Sequence, residues 1–218
     1  ALAKQNFKKG PAPAADAFVA YAQTLRDAYA ERLTSMGEAS DEKSPGCTSH
    51  FNVIDGEGNM VAVTQTLLSV YGSRLVLPTS GVLMNNGINW FDTRPGSPNC
   101  IAPSKRPLTN MCPVIVTRNN GEGWFAIGAS GGRKIMPAVT QVCSFLIDHG
   151  MNLEDAFHQS RIDASGGDAV GVDPRQPAEV QNALAAKFPV NLTELVVFPN
   201  NFACPSAVMQ DVKTGEHT

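Results

Sequence analysis

What this 218-residue chain lacks narrows its chemistry first. It has five cysteines, but none forms a C-x-x-C pair and none stands near a histidine at zinc-finger spacing. Its four histidines are scattered, so no metal site is expected. An odd, dispersed set of thiols reads as free cysteines, which leans towards a reducing, cytoplasmic compartment. No apolar run approaches the roughly 18 residues that a membrane span needs. There is no basic excess: 17 Lys and Arg stand against 20 Asp and Glu, a formal net charge of −3. A broad positive field for nucleic acid or an anionic membrane is therefore not expected. Internal repeats and low-complexity segments are missing too. The opening ALAKQNFKKG has two basic clusters and no apolar core, so a signal peptide is not expected there. Without an initiator Met, the native N-terminus is expected elsewhere.

What is present is ordinary globular composition, 43 % hydrophobic and 17 % charged. Residues 14–33 place Phe18, Tyr21, Leu25, Tyr29 and Leu33 at three- and four-residue spacing, which predicts an amphipathic helix. A polar linker follows. A hairpin is expected around Gly56-Glu57-Gly58, with a glycine available for the left-handed position. Beyond it come a short strand at 75–78, an extended Pro-rich loop at 92–106 and a second hairpin with strands 113–117 and 124–129. Helices are expected from about Arg133, Asn152 and Pro177, with a Gly-rich loop between the last two. Strands follow at 190–198 and 206–212. The closing DVKTGEHT reads as strand and turn without a partner, as if clipped. Strands followed by packed helices give an α+β class with antiparallel sheet.

The first hairpin carries the chemical question. A three-residue loop pairs residues whose numbers sum to 114, so Thr48 faces Thr66 and His50 faces Thr64. Side chains alternate across the sheet. One face then holds Thr48, His50, Asn52, Ala62, Thr64 and Thr66. The other holds Phe51, Val53, Val61, Val63 and Leu67 and is expected to be the core face. A row of solvated threonines is an ordinary property of strands. Two features point beyond that. The turn Pro45-Gly46-Cys47 puts the Cys47–Thr48 peptide at a loop-to-strand junction, where the Thr48 hydroxyl can attack its own preceding carbonyl. Hydrolysis of the resulting ester frees an α-amine with an ordinary pKa of about 7.7–8.0. That amine can serve as base for its own hydroxyl. Secondly, GASGGRK (128–134) lets the N–H groups of Gly131 and Gly132 approach a reacting carbonyl, as an oxyanion hole requires. A plain strand-to-helix turn or a phosphate loop are the alternative readings. His50 fits an orienting role better than that of a base. Arg74, Lys105 and Arg106 read as solvated charges, and Asp148-His149 as a surface helix cap.

The stretches CTSHFNVIDGEGNMVAVTQTL, GVLMNNG, KRPLTNMCPVIV and ASGGRKI resemble, in order and spacing, the small subunit of the gamma-glutamyltransferase (gamma-glutamyltranspeptidase) family of N-terminal nucleophile hydrolases. The resemblance spans about residues 48–212, and residues 1–47 resemble the tail of the large subunit. It implies two regions, 1–47 and 48–218, and an αββα sandwich. It also implies autocleavage between Cys47 and Thr48. Thr48 is then the nucleophile, Thr66 its hydrogen-bonding partner, and Gly131 and Gly132 the oxyanion hole. Thr109 and Asn110 hold a substrate carboxylate, and Asn86 lies among the substrate-binding residues. No metal or cofactor is implied. The partners would be a small-molecule amide and a large-subunit-like polypeptide, compatible with a homo-oligomer of such heterodimers.

Three departures bear on substrate. Typical members have Asn where this chain has Leu68. They read Asn-Asn-Gln where it has Asn85-Asn86-Gly87. They carry an amine-gripping Asp where it has Trp90. Without that carboxylate a buried ammonium would cost several kcal/mol. A smaller acidic amide lacking an amine, such as oxamate, therefore fits these departures better than a free γ-glutamyl group. The competing reading is an unprocessed, non-catalytic fragment that assembles with a large subunit.

Overall fold

The computed structural model describes residues 2–36, 46–193, 201–211 and 214–218. The first helix, α1, runs Ala15–Ser35, as its spacing predicts, and buries Phe18, Tyr21, Leu25 and Tyr29. The first hairpin is β1 (Gly46–Ile54) with β2 (Met60–Ser69). Its register is the expected one: Thr48↔Thr66, His50↔Thr64 and Asn52↔Ala62. A second sheet has the order β3-β4-β8, from Val114–Thr117, Gly123–Ser130 and Cys204–Met209. Its strands are antiparallel.

The alternation of β4 decides how the layers stack. Phe125, Ile127 and Ala129 join the apolar core with Phe18, Tyr21 and Leu25 of α1 and with Val139, Val142 and Phe145 of α2 (Ile135–Ile147). The intervening residues, Ala126, Gly128 and Ser130, are small and lie on the other face. The hairpin stacks there. His50 occupies the space where Gly128 has no side chain, and Asn52 Nδ2 donates to the Ser206 carbonyl at 3.0 Å.

This reverses one expectation. The polar face of the hairpin, not the apolar one, turns inward against the second sheet. Phe51, Val53 and Val61 are 49, 50 and 50 % exposed. Small residues on β4 leave room for an imidazole and an amide, and their polar atoms find partners inside. The chain thus supplies helix, sheet and sheet in that order, with the outer face of the hairpin bare.

Other differences are local. The Gly-rich stretch after α3 (Leu153–His158) contains two short strands, β5 (Ile162–Asp163) and β6 (Val170–Val172). The next helix, α4, covers Ala178–Ala185. β6 pairs in parallel with β7 (Val190–Leu192), so the sheet content is not purely antiparallel. The expected strand over 190–198 runs partly outside the described residues. Instead of a strand, 75–78 forms an isolated bridge, Val76↔Leu83. The terminus turns back on β8, exchanging hydrogen bonds between Met209 and Thr218, so it does have a partner. His149 is buried rather than a surface cap, with contacts at 3.0 Å to both the Tyr21 hydroxyl and the Lys8 carbonyl.

Candidate active site

The Thr48 hydroxyl donates to Thr66 Oγ1 at 3.0 Å. Thr66 in turn donates to the Cys47 carbonyl at 2.9 Å and accepts the Leu68 N–H at 2.9 Å. One hydroxyl therefore bridges the candidate nucleophile and the carbonyl it would attack. The sequence placed the Cys47–Thr48 bond at a loop-to-strand junction, but it lies inside β1. The register shifts between Gly46↔Ser69 and Thr48↔Thr66, so Cys47 alone stands opposite Leu67 and Leu68, and the extra residue of this β-bulge is on β2. A bulge leaves that residue unpaired in the ladder and bends the strand locally. The preceding Pro45 lies outside the described residues.

His50 is fully engaged away from Thr48. Asn52 Nδ2 faces a carbonyl, which turns Asn52 Oδ1 towards His50 Nε2 at 2.9 Å. Nε2 then carries the hydrogen, and Nδ1 accepts from Thr64 Oγ1 at 2.8 Å. The ring holds the hairpin on the second sheet, which agrees with the orienting role read from the sequence.

β1 and β4 lead to the same end of the stack. Met60, opposite Ile54, lies over Gly123, and His50 lies over Gly128. Two residues further along β1 is Thr48, and three further along β4 is Gly131. There β4 stops and the chain makes a 3₁₀ turn, Gly132–Lys134, into α2. Gly131 has φ 138° and Gly132 φ 60°, both disfavoured for residues with a Cβ. A Cβ on Gly131 would also meet Ala203 at 2.7 Å, whereas Gly132 faces open space.

Thr109 and Asn110 lie in the loop before β3. The Thr109 hydroxyl accepts the Met111 N–H at 3.2 Å, which leaves its own hydrogen available. Asn110 Oδ1 is buried and has no partner. The Thr109 carbonyl is held by Arg32 Nη2 of α1 at 3.0 Å. Asn86 lines an open cleft of about 650 Å³ together with Ser69, Ser73, Arg74 and Asn89. Its amide is bound at both ends by Ser69, through N–H at 3.1 Å and Oγ at 2.8 Å. Leu68 sits at φ 71°, a left-handed conformation that Asn tolerates better than Leu. Trp90 packs its ring against the buried Gly87.

Sequence reasoning missed Tyr29 and Arg32. Both read only as residues of the first helix. Among the described residues no group of three His, Cys, Asp or Glu could hold a metal ion, and no helix is long and apolar enough to cross a membrane.

The gamma-glutamyltranspeptidase family profile matches residues 13–197. The glutathione hydrolase proenzyme of Escherichia coli is 34 % identical over 160 residues, covering 65 % of this chain and 27 % of that relative. The acylase ACY 1 proenzyme of a Pseudomonas species is 33 % identical over 178 residues, covering 78 % and 32 %. The chain thus spans about a quarter to a third of these relatives, 27 % and 32 % of their lengths. Among solved structures, a highly active Trp-to-Asp mutant of gamma-glutamyltranspeptidase from Pseudomonas nitroreducens superposes with a TM-score of 0.62. It is 27 % identical, covering 77 % of this chain and 91 % of that one. With the profile matching well over half of its residues, this chain belongs to the gamma-glutamyltranspeptidase family.

Proposed function

We propose that the chain is the catalytic region of an autoprocessing amide hydrolase or acyltransferase with Thr48 as nucleophile. The observation that carries this is the hydrogen-bond chain from the Thr48 hydroxyl through Thr66 to the Cys47 carbonyl. In the unbroken chain, Thr48 Oγ1 adds to the Cys47 carbonyl carbon. Its proton passes to Thr66, whose own proton goes to the former carbonyl oxygen. Collapse breaks the C–N bond, places the proton on the freed α-amine and leaves an ester. Water hydrolyses that ester, so that 1–47 and 48–218 separate as two chains.

The α-amine of Thr48 then serves as base. Thr48 Oγ1 attacks the substrate amide, and the amine takes the hydroxyl proton. Gly131 and Gly132 N–H groups stabilise the tetrahedral oxyanion, each by roughly 3–4 kcal/mol. The ammonium returns its proton to the leaving amine. Water or a second amine resolves the acyl-enzyme. No step draws on a metal or cofactor.

The substrate class is a γ-glutamyl compound or a small acidic amide such as oxamate. Thr109 and Asn110 meet its carboxylate, and Asn86 shapes the cleft. Trp90 offers no anionic partner for an ammonium, which favours a substrate without one. That a Trp-to-Asp mutant of the Pseudomonas nitroreducens relative is described as highly active is compatible with Trp limiting γ-glutamyl turnover.

A large-subunit-like polypeptide would cover the bare apolar face of the hairpin. Phe51, Val53 and Val61, each about half exposed, support that reading, as does the limited share of the proenzyme relatives that this chain spans.

The test is mass spectrometry of the purified full-length protein, followed by two assays. A fragment beginning at Thr48 is expected. Ammonia release from oxamate is expected to exceed release of p-nitroaniline from γ-glutamyl-p-nitroanilide. Turnover of either amide by protein whose 47–48 bond is intact would remove Thr48 as its own base. Faster turnover of the glutamyl compound would assign Trp90 no role in excluding an amine.

A further inference from the structure

We propose that Tyr29 and Arg32, one turn of α1, are positioning residues that set the glycine turn and the Thr109–Asn110 loop relative to each other. The proposal rests on the functional reading above. On that reading it makes the segment upstream of the nucleophile an integral part of the site.

The geometry begins at the turn into α2. The carbonyl of Arg133 lies in the 3₁₀ turn just before α2, and Pro137, four residues on in the first turn of the helix, has no N–H to offer it. The Tyr29 hydroxyl donates to this carbonyl instead. Arg133 directly follows Gly132, so the bond fixes the peptide next to the two glycines. Three residues along α1, Arg32 Nη2 donates to the Thr109 carbonyl at 3.0 Å. Its guanidinium lies 5.6 Å from the centre of the Tyr29 ring, so the two side chains brace each other. Tyr29 is wholly buried and Arg32 is 8 % exposed. Burial pushes the Tyr29 hydroxyl up to about 12, so it remains a donor at neutral pH.

The consequence concerns cleavage. α1 lies before Cys47, so once the 47–48 bond is cut it is held by non-covalent contacts alone. Phe18, Tyr21, Ala22 and Leu25, each at most 4 % exposed, keep it in the core. Tyr29 then acts on the oxyanion side of the site and Arg32 on the carboxylate side.

The experiment compares Tyr29→Phe, Arg32→Gln and Arg32→Lys in the processed full-length protein. It measures kcat and KM on the amide that the wild type turns over, and amide hydrogen exchange over 108–111 and 131–134. Tyr29→Phe should lower kcat about tenfold at nearly constant KM, and speed exchange at 131–134 alone. Arg32→Gln should raise KM about tenfold at nearly constant kcat, and speed exchange at 108–111 alone. Arg32→Lys should recover part of the KM loss. Variants that lose only folded fraction, with kcat, KM and both exchange patterns unchanged, would overturn the proposal. An inactive wild type would count against the functional reading, while exchange at the two segments would still decide this one.

Discussion

The hydroxyls of Thr48 and Thr66 meet at 3.0 Å across β1 and β2, and the second of them also holds the Cys47 carbonyl. This pair stands in the regular register of the hairpin, directly before the bulge that β2 makes at Leu67 and Leu68. Thr66 is therefore tied to two events, cleavage before Thr48 and turnover after it.

Removing the bridge should slow both. Thr66→Val keeps the shape and deletes the hydroxyl, leaving Thr48 without its acceptor. Cleavage and kcat are each expected to fall by about tenfold to a hundredfold, the scale of one or two lost hydrogen bonds. Thr48→Ala should abolish cleavage. Band intensities on a denaturing gel over time check the first step, and amide release by processed protein checks the second. A Thr48→Ala protein that still splits at this bond would remove the nucleophile assignment.

Gly128 and His50 share one space. A Cβ at 128 would lie well inside contact distance of the imidazole, which Thr64 and Asn52 hold in place. Gly128→Ala should destabilise the protein by roughly 1–3 kcal/mol, the usual cost of overpacking. In a His50→Ala background the same substitution should cost much less. Chemical denaturation of the four proteins gives the coupling directly, and a null coupling would mean that the two sites do not touch.

Leu68 stores strain next to Thr66. At φ 71° a branched apolar side chain is poorly accommodated. Leu68→Asn should raise stability by about 0.5–1 kcal/mol. The Leu68 N–H to Thr66 contact at 2.9 Å is backbone and should persist. A thermal midpoint that falls would mean that packing of the Leu side chain outweighs the strain.

Alkaline pH should loosen the helix layer in a defined direction. Burial raises Tyr29 from the ordinary 10.0 to about 12, with Arg32 as the main opposing influence. Burial raises Tyr21 further. The folded state thus holds these protons more tightly than the unfolded chain. The stabilisation is complete below about pH 10 and disappears as pH rises towards 12. For Tyr29 it is on the order of 2–3 kcal/mol. Denaturation midpoints between pH 9 and 12 should fall less steeply for Tyr29→Phe than for the wild type. Equal slopes would place Tyr29 in water.

Much of the scaffold could be read from residue spacing. The three-residue loop Gly56-Glu57-Gly58 and a period of two fix which residues of β1 and β2 face each other, so Thr48 and Thr66 could be paired without coordinates. The 3.6-residue spacing of Phe18, Tyr21, Leu25 and Tyr29 likewise marks α1 and its buried stripe. β5 and β6 were illegible because two- and three-residue strands in a Gly-rich stretch leave no periodic signal. Their place is set from outside, by the buried Gln141, whose side chain bonds both backbone groups of Ile162.

The sequence by itself determined the local pairings, because loop length and side-chain alternation are properties of one contiguous segment. It did not determine which hairpin face turns inward. That was decided by the small row Ala126, Gly128 and Ser130 on β4, which admits His50 and Asn52 and leaves Phe51, Val53 and Val61 outside. Nor did it join Tyr29 to Arg133 or Arg32 to Thr109. Those contacts cross 104 and 77 residues of chain, and only the packing of α1 against the sheet and α2 brings such distant groups within hydrogen-bonding reach.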